Sequence, residues 1–338
     1  MAKSEIRWVA AVLLMTLVFG ILALSPRDVR AEGTTPASGS NDPDALLKLA
    51  NQAGFKNLTD CERKLLQSGP AGEGADCRSN DDKENDPSKG DQWPESRQVH
   101  AKLIRWLCVN EAAGKLIGPR GIQIYGAVIR EPLGLDFISV SFPLMVANSR
   151  ISAPMSLLNA NIDALDLGGT STGSISADFL ATRRGIFLRN GFHAEGEVRL
   201  YGATIGGDLD CAGGTFNNRN GYALYAEGIN VAGDVSLGYG FKATGEVSLL
   251  GASVGRNLEC MGGTFSNPNR KALTADGIKA AGGVYLRDGF HSTGEVRLPR
   301  ATVGGDLDCS NATFSNPNGD ALHADGLKAR QATFFFED

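Results

Sequence analysis

The chain has 338 residues, 43 of them glycine, and a formal net charge of -5. That length supplies ample core for one or two domains, and the glycines follow no Gly-X-Y period, which excludes collagen. Arg and Lys stand mostly singly among Asp and Glu, so there is no basic stripe to hold nucleic acid.

Lys3 and Arg7 precede an apolar run from Trp8 to Leu24, and Val29-Arg30-Ala31 places small residues where a signal peptidase reads. Residues 1–31 therefore read as a secretory signal peptide. The run is also nearly long enough to span a bilayer, so an uncleaved N-terminal membrane anchor is the alternative. Either reading makes the protein exported: periplasmic, secreted or membrane-anchored. Export permits disulfides, and Cys61 and Cys77, flanking Ser68-Gly69-Pro70-Ala71-Gly72, are the best candidate pair. Cys108 sits in an apolar setting. There is no Cys-x-x-Cys and the His are scattered, so no zinc site is expected.

Residues 32–43, with Pro36, Gly39 and Pro43, read as a flexible linker. A short helix is expected from about Asp44 to Gln52. Thr59, three positions before Glu62, signals a capping box opening a helix through about Gln67. The polar stretch 68–95 reads as a mobile loop, completing a region 32–95 of linker, short helices and loop. From Ser96 to about Leu116, Val99, Leu103, Trp106 and Leu107 fall on one helical stripe. This segment, 96–117, is expected to be a helix that caps the end of the repeat region.

After Gly118 the period changes. Ile129, Val140, Ile151 and Ile162 recur at i, i+11, i+22 and i+33, with Leu135, Val146 and Leu157 spaced likewise. Such short alternating groups are strands with one face buried. Later a longer unit repeats: Gly207-Asp208-Leu209-Asp210-Cys211 returns at i+49 as Arg256-Asn257-Leu258-Glu259-Cys260 and at i+98 as Gly305-Asp306-Leu307-Asp308-Cys309. Within the unit, Leu209, Leu224, Val235, Val247 and Leu258 follow one another at steps of 15, 11, 12 and 11. Each unit is then two turns of a coil plus one inserted loop, at 217–221, 266–270 and 315–319. The fold expected for 118–338 is mainly β: a right-handed parallel β-helix, a four-sided solenoid of about 22 residues per turn. Its interior should hold Leu209, Cys211, Phe216, Leu224, Ala226, Ile229, Val231, Val235, Leu237, Phe241, Val247, Leu249, Ala252 and Val254. Glycines such as Gly196, Gly245 and Gly294 serve its corners.

In a strand, Leu209 and Cys211 face inward while Asp208 and Asp210 face out. Cys211, Cys260 and Cys309 are thus small buried hydrophobes, too far apart for a disulfide or a shared metal. The candidates for a metal, Ca²⁺, are Asp208, Asp210, Asp306 and Asp308, which with Glu259 would form an acidic stripe if aligned. The columns Glu197, Glu246, Glu295 and Glu227, Asp276, Asp325 read as solvated decoration. His193 and His291 recur with Lys242 between them, as surface residues do. No nucleophile motif, phosphate loop or nucleotide fingerprint is present, so no catalytic or cofactor residue is named.

The segments Ala203-Thr204-Ile205, Ala252-Ser253-Val254 and Ala301-Thr302-Val303 resemble those of pentapeptide-repeat and similar quadrilateral β-helix proteins, although 11 and 12 replace multiples of five. Trp106-Leu107-Cys108 followed by Gly-Phe-His and Gly-Glu-Val-Arg-Leu phrases is similar to a group of bacterial repeat proteins, some labelled membrane-associated oxidoreductase. The resemblance covers about residues 96–330. It implies architecture and transfers no catalytic residue.

The expected function is an exported, non-enzymatic β-helical scaffold or binding protein of the cell envelope, meeting a protein or polysaccharide partner through its flat sides and loops. The alternative is a carbohydrate-active enzyme, a polysaccharide lyase or hydrolase, on a lateral groove with paired carboxylates. For Gln331-Ala332-Thr333-Phe334-Phe335-Phe336, either folding over the open end or end-to-end dimerisation is expected.

Overall fold

The computed structural model describes residues 44–333. The signal or anchor segment, the 32–43 linker and Phe334-Phe335-Phe336 lie outside the described residues.

The amino-terminal part is small and stapled. Helix α1 (Ala45–Gln52) precedes α2 (Asp60–Ser68), which opens with the expected capping box. Thr59 Oγ1 accepts from the Glu62 amide at 3.1 Å, and Glu62 Oε2 accepts from the Thr59 amide at 3.0 Å. Cys61 and Cys77 are joined in a disulfide.

Residues 68–95 are not a loop without structure, as their composition suggested. Strand β1 (Ala75–Asp76) pairs in parallel with β2 (Ile122–Tyr125), and short 3-10 turns follow. The polar residues build these turns: Asp81 and Asp86 accept from the amides of Lys83 and Ser88, each at 3.0 Å. The single helix expected over 96–117 is two helices, α3 (Ala101–Val109) and α4 (Glu111–Leu116). Asn110 divides them because its side chain caps the second, accepting from the Ala113 amide at 2.9 Å. The apolar stripe serves as expected, with Val99, Leu103 and Leu107 fully buried and α3 against the first turn of the coil.

That turn runs β2, β3 (Val128–Ile129), β4 (Leu133–Gly134) and β5 (Ser139–Val140), then returns as β6 (Leu144–Ala147) in parallel register on β2. These strands define four faces, numbered one to four in that order. The chain is a parallel β-solenoid of about 9 turns and ~23 residues per turn. Face one carries an unbroken apolar column: Ile122, Leu144, Leu165, Ile186, Leu209, Val235, Leu258, Val284 and Leu307. Gln331–Thr333 continue this sheet on Asp306–Asp308, so the described part of the tail extends the coil and does not fold over its end.

The long repeat is two turns, running from Leu209 to its register partner Val235 and from Val235 to Leu258. The first of these turns is the longer. It holds the insertion, which the strands Thr215–Tyr225 and Thr264–Thr274 absorb as bulges at the corner of faces two and three. One asparagine fixes each loop. Asn218, Asn267 and Asn316 donate through Nδ2 to the carbonyls of Tyr222, Lys271 and Asp320, at 2.9, 2.7 and 2.8 Å. Across this corner Gly245 has φ of 115°, and a Cβ there would lie 2.3 Å from the Asn218 carbonyl oxygen. The glycine is therefore required.

Every residue expected in the interior is buried. Inside face two, Phe192, Phe216, Phe241, Phe265, Phe290 and Phe314 form a column with ring centroids 5.2–5.3 Å apart. The rings fit because they come alternately from two sites. Phe216 and Phe265 are in register with small residues, Ala194, Ala243 and Ser292, in adjacent turns. Large opposite small is how dense interiors fill.

Candidate functional site

The carboxylates of the repeated Asp-Leu-Asp-Cys phrase are used by the fold. Asp208 Oδ1 accepts from the Asp234 amide at 2.9 Å, Asp234 Oδ1 from the Asn257 amide at 2.8 Å, and Asn257 Oδ1 from the Gly283 amide at 2.9 Å. Asp210 takes Arg189 at 2.7 Å and Asp308 takes Arg287 at 3.2 Å, while Asp306 pairs with Arg330 at 3.0 Å. Ser310 and Arg287 outweigh the opposing effect of burial and lower the Asp308 pKa. The structure thus does not bring the four together. Among the described residues, no group of three or more His, Cys, Asp or Glu is arranged to hold a metal. Cys211, Cys260 and Cys309 alternate along the interior with Leu237 and Leu286, and burial drives each thiol pKa upward, to about 12 for Cys309.

Face three is different. Moving from the inserted loops toward face four, it presents three columns of outward side chains. The first holds Glu197, Tyr222, Glu246, Lys271 and Glu295, and the second Arg199, Tyr225, Ser248, Thr274, Arg297 and His323. The third, at the corner, holds Asp178, Tyr201, Glu227, Leu250 and Asp276. Two copies of the repeat arrange these identically. Arg199 bridges Asp178 at 2.8 Å and Glu197 at 3.2 Å; Arg297 bridges Asp276 and Glu295, both at 2.8 Å.

The middle copy breaks the rule. Gly-Glu-Val-Arg-Leu becomes Gly-Glu-Val-Ser-Leu, and Ser248 stands where the arginine should be. Glu227 and Glu246 are left without a bridging cation. Glu227 accepts from Tyr225 Oη at 2.9 Å and Ser248 Oγ at 2.8 Å; Glu246 accepts from Thr274 Oγ1 at 2.6 Å. The Glu246 pKa is raised, chiefly by burial and further by Glu227 and Asp276, against the pull of Thr274 and Lys271. The Tyr225 hydroxyl is pushed up to about 12 by burial and by Glu227.

Beside this acidic pair lies a row of rings. Tyr222 and Tyr225 are 4.6 Å apart, Tyr225 and Tyr201 are stacked at 5.9 Å, and Tyr201 meets Phe179 edge-on at 5.4 Å. Phe179 is 53% exposed and sits at φ 56°, in the left-handed region. A bulky residue there is strained; the equivalent corner of following turns is Gly202, Gly228, Gly251 and Gly277. Its ring lies over Gly202, where a Cβ would come within 2.7 Å of Cε1. Phe179 and Tyr201 are the exposed rings of the row, while Arg199 lies 4.6 Å over the Tyr225 ring; their apolar surface beside carboxylates that accept hydrogen bonds is suited to holding a polyhydroxylated ligand.

From the sequence these carboxylates read as solvated decoration, and no aromatic platform was visible. The legible signal was Ser248 in an otherwise repeated phrase. His193 and His291 are surface residues, bonded to Glu195 and Thr293. Comparisons with family models, curated proteins and solved structures find no match for this chain. The parallel solenoid stands on the structure, and neither the pentapeptide-repeat nor the oxidoreductase resemblance gains a relative to carry it.

Proposed function

We propose that the protein is a non-enzymatic β-helical scaffold of the cell envelope that binds polysaccharide across face three. The observation that carries this reading is the break in the repeat at Ser248, which leaves Glu227 and Glu246 unbridged beside the ring row of Tyr222, Tyr225, Tyr201 and Phe179. Sugar C–H faces pack on the rings, and the carboxylates accept from hydroxyls. Export is in keeping with the Cys61–Cys77 disulfide, a bond that persists in oxidising compartments. Among the described residues no helix is long and apolar enough to cross a membrane, so attachment to a bilayer falls to the segment before residue 44. Titration calorimetry against purified envelope polysaccharides tests the reading. Saturable binding that is lost in Tyr201→Ala and Tyr222→Ala, with folding intact, is expected; binding to none of them, or unaltered binding in both variants, overturns it.

One observation favours a second reading. Glu246, its pKa raised by burial, lies near enough to Glu227 for their charges to interact, and unequal carboxylates are what glycan cleavage requires. Depolymerisation of a bound polysaccharide, abolished by Glu246→Gln with binding retained, would make the protein an enzyme.

A further inference from the structure

A cleft of 660 Å³ lies over the disulfide, between α2 and the turns of 79–97. On a chain of net charge -5 it is unusual, since five cationic side chains line it against three carboxylates. Its base is Arg97, 5% exposed, stacked 3.5 Å over the Trp93 ring. The guanidinium has no carboxylate partner among the described residues. Nε donates to the Gly126 carbonyl at 2.7 Å and Nη1 to the Glu84 carbonyl at 3.1 Å, while buried Nη2 donates to nothing. A buried cation with an unused donor is costly unless an anion reaches it.

The charges of Glu84 and Asp76 act on Arg97 through space, but no carboxylate among the described residues bonds it. Asp60 pairs with Arg63 at 3.2 Å, Asp86 with Lys89 at 3.7 Å, and Glu84 accepts from Ser79 at 2.6 Å. Beside Nη2 lies the stem of a second arginine: a Cβ on Gly126 would meet Arg97 Nη2 at 3.0 Å and Arg78 Cγ at 2.3 Å. The Arg78 guanidinium forks onto Asp76, Nε and Nη2 donating at 2.9 and 2.8 Å, and both side chains are about half exposed, so a competing anion can reach the pair from solvent. Lys83, exposed at the cleft wall, has no bonded side-chain partner among the described residues.

We propose that this cleft is a binding site for a tetrahedral oxyanion, a phosphate or sulfate group, taken between Arg97 Nη2 and Arg78 with Lys83 as the outer cation. Arg78 turns from Asp76 to admit the anion, which satisfies the orphaned donor. Guanidinium pairs suit this geometry better than ammonium groups. The site is separate from face three and does not depend on its ligand.

The experiment is a titration of the disulfide-intact protein with inorganic phosphate, inorganic sulfate and phosphatidylglycerol vesicles, at fixed ionic strength set with chloride. Vesicles distinguish a lipid headgroup from a free ion as the natural source. Expected are saturable binding of at least one probe, a rise in melting temperature that chloride does not give, and about fivefold weaker binding in Lys83→Glu. Arg97→Lys should bind none; if it fails to fold, Arg78→Ala, whose side chain is half exposed, replaces it and should weaken binding by the same order or more. No binding to any probe, an equal shift with chloride, or undiminished binding in Lys83→Glu and Arg78→Ala overturns the proposal.

Discussion

Replacing Phe241 by alanine should remove about 3–5 kcal/mol of stability, the ordinary cost of emptying a buried phenyl site. Phe241 is fully buried, with rings 5.2 Å away on both sides, Phe216 and Phe265. Each ring pair accounts for about 0.5–1.5 kcal/mol of that loss. Among the described residues Phe314 ends the column: it is half-buried and has a ring neighbour on one side, at 5.3 Å. Phe314→Ala should therefore cost about half as much, roughly 1–2 kcal/mol. Phe241→Leu, which keeps most of the volume, should cost about 1.5 kcal/mol or less. Guanidinium unfolding followed by circular dichroism reads all three. Because solenoid stability is a sum over turns and their interfaces, position in the column must matter. Equal losses at Phe241 and Phe314, or less than about 1 kcal/mol at Phe241, would refute the packing argument.

Reducing the Cys61–Cys77 bond, which closes a 16-residue separation, should cost about 3 kcal/mol, seen as a lower melting temperature with reductant. Native protein should resist thiol alkylation, since Cys108, Cys211, Cys260 and Cys309 are all buried; denaturation without reductant should expose four reactive thiols, counted by mass spectrometry. Asp163 is 2% exposed, and burial, which raises its pKa, is outweighed by Arg184 and Arg183, so the folded value is lowered. Its contribution is therefore present above the unfolded carboxylate value of ~3.9 and lost as pH falls through the lower folded value. Asp163→Asn should cost about 1–3 kcal/mol near neutrality and flatten the acid limb of the stability profile, measured by unfolding from pH 6 to 2.

The coil was legible because it is written twice, as a short alternation of aliphatic residues and as a longer unit spanning two turns. Leu209, Leu224, Val235 and Val247 sit where the arithmetic put them, on alternate faces. The helix over 96–117 was less so, because Asn110 belongs to a helical stripe and to a cap at once. The segment 68–95 misled for a related reason: Asp81 and Asp86 look like loop residues, yet they are what closes its turns. The face-three site was half visible. Periodicity exposed Glu197, Glu246 and Glu295 as a column, but the informative residue was Ser248, a departure from periodicity. The ring row was invisible, since Phe179, Tyr201 and Tyr225 come from three turns with no common spacing motif.

The two-turn unit also governs how such a chain can change length. A turn bearing an inserted loop alternates with one that does not, and Cys alternates with Leu behind them. Excising one whole unit joins like to like, and every strand meets a partner of the same phase. Excising a single loopless turn would set loop against loop and thiol against thiol, and excising a loop-bearing one would set two loopless turns and two leucines together. Growth and shrinkage are thus quantised in pairs of turns, and a chain shortened by a complete pair should fold as readily as its parent.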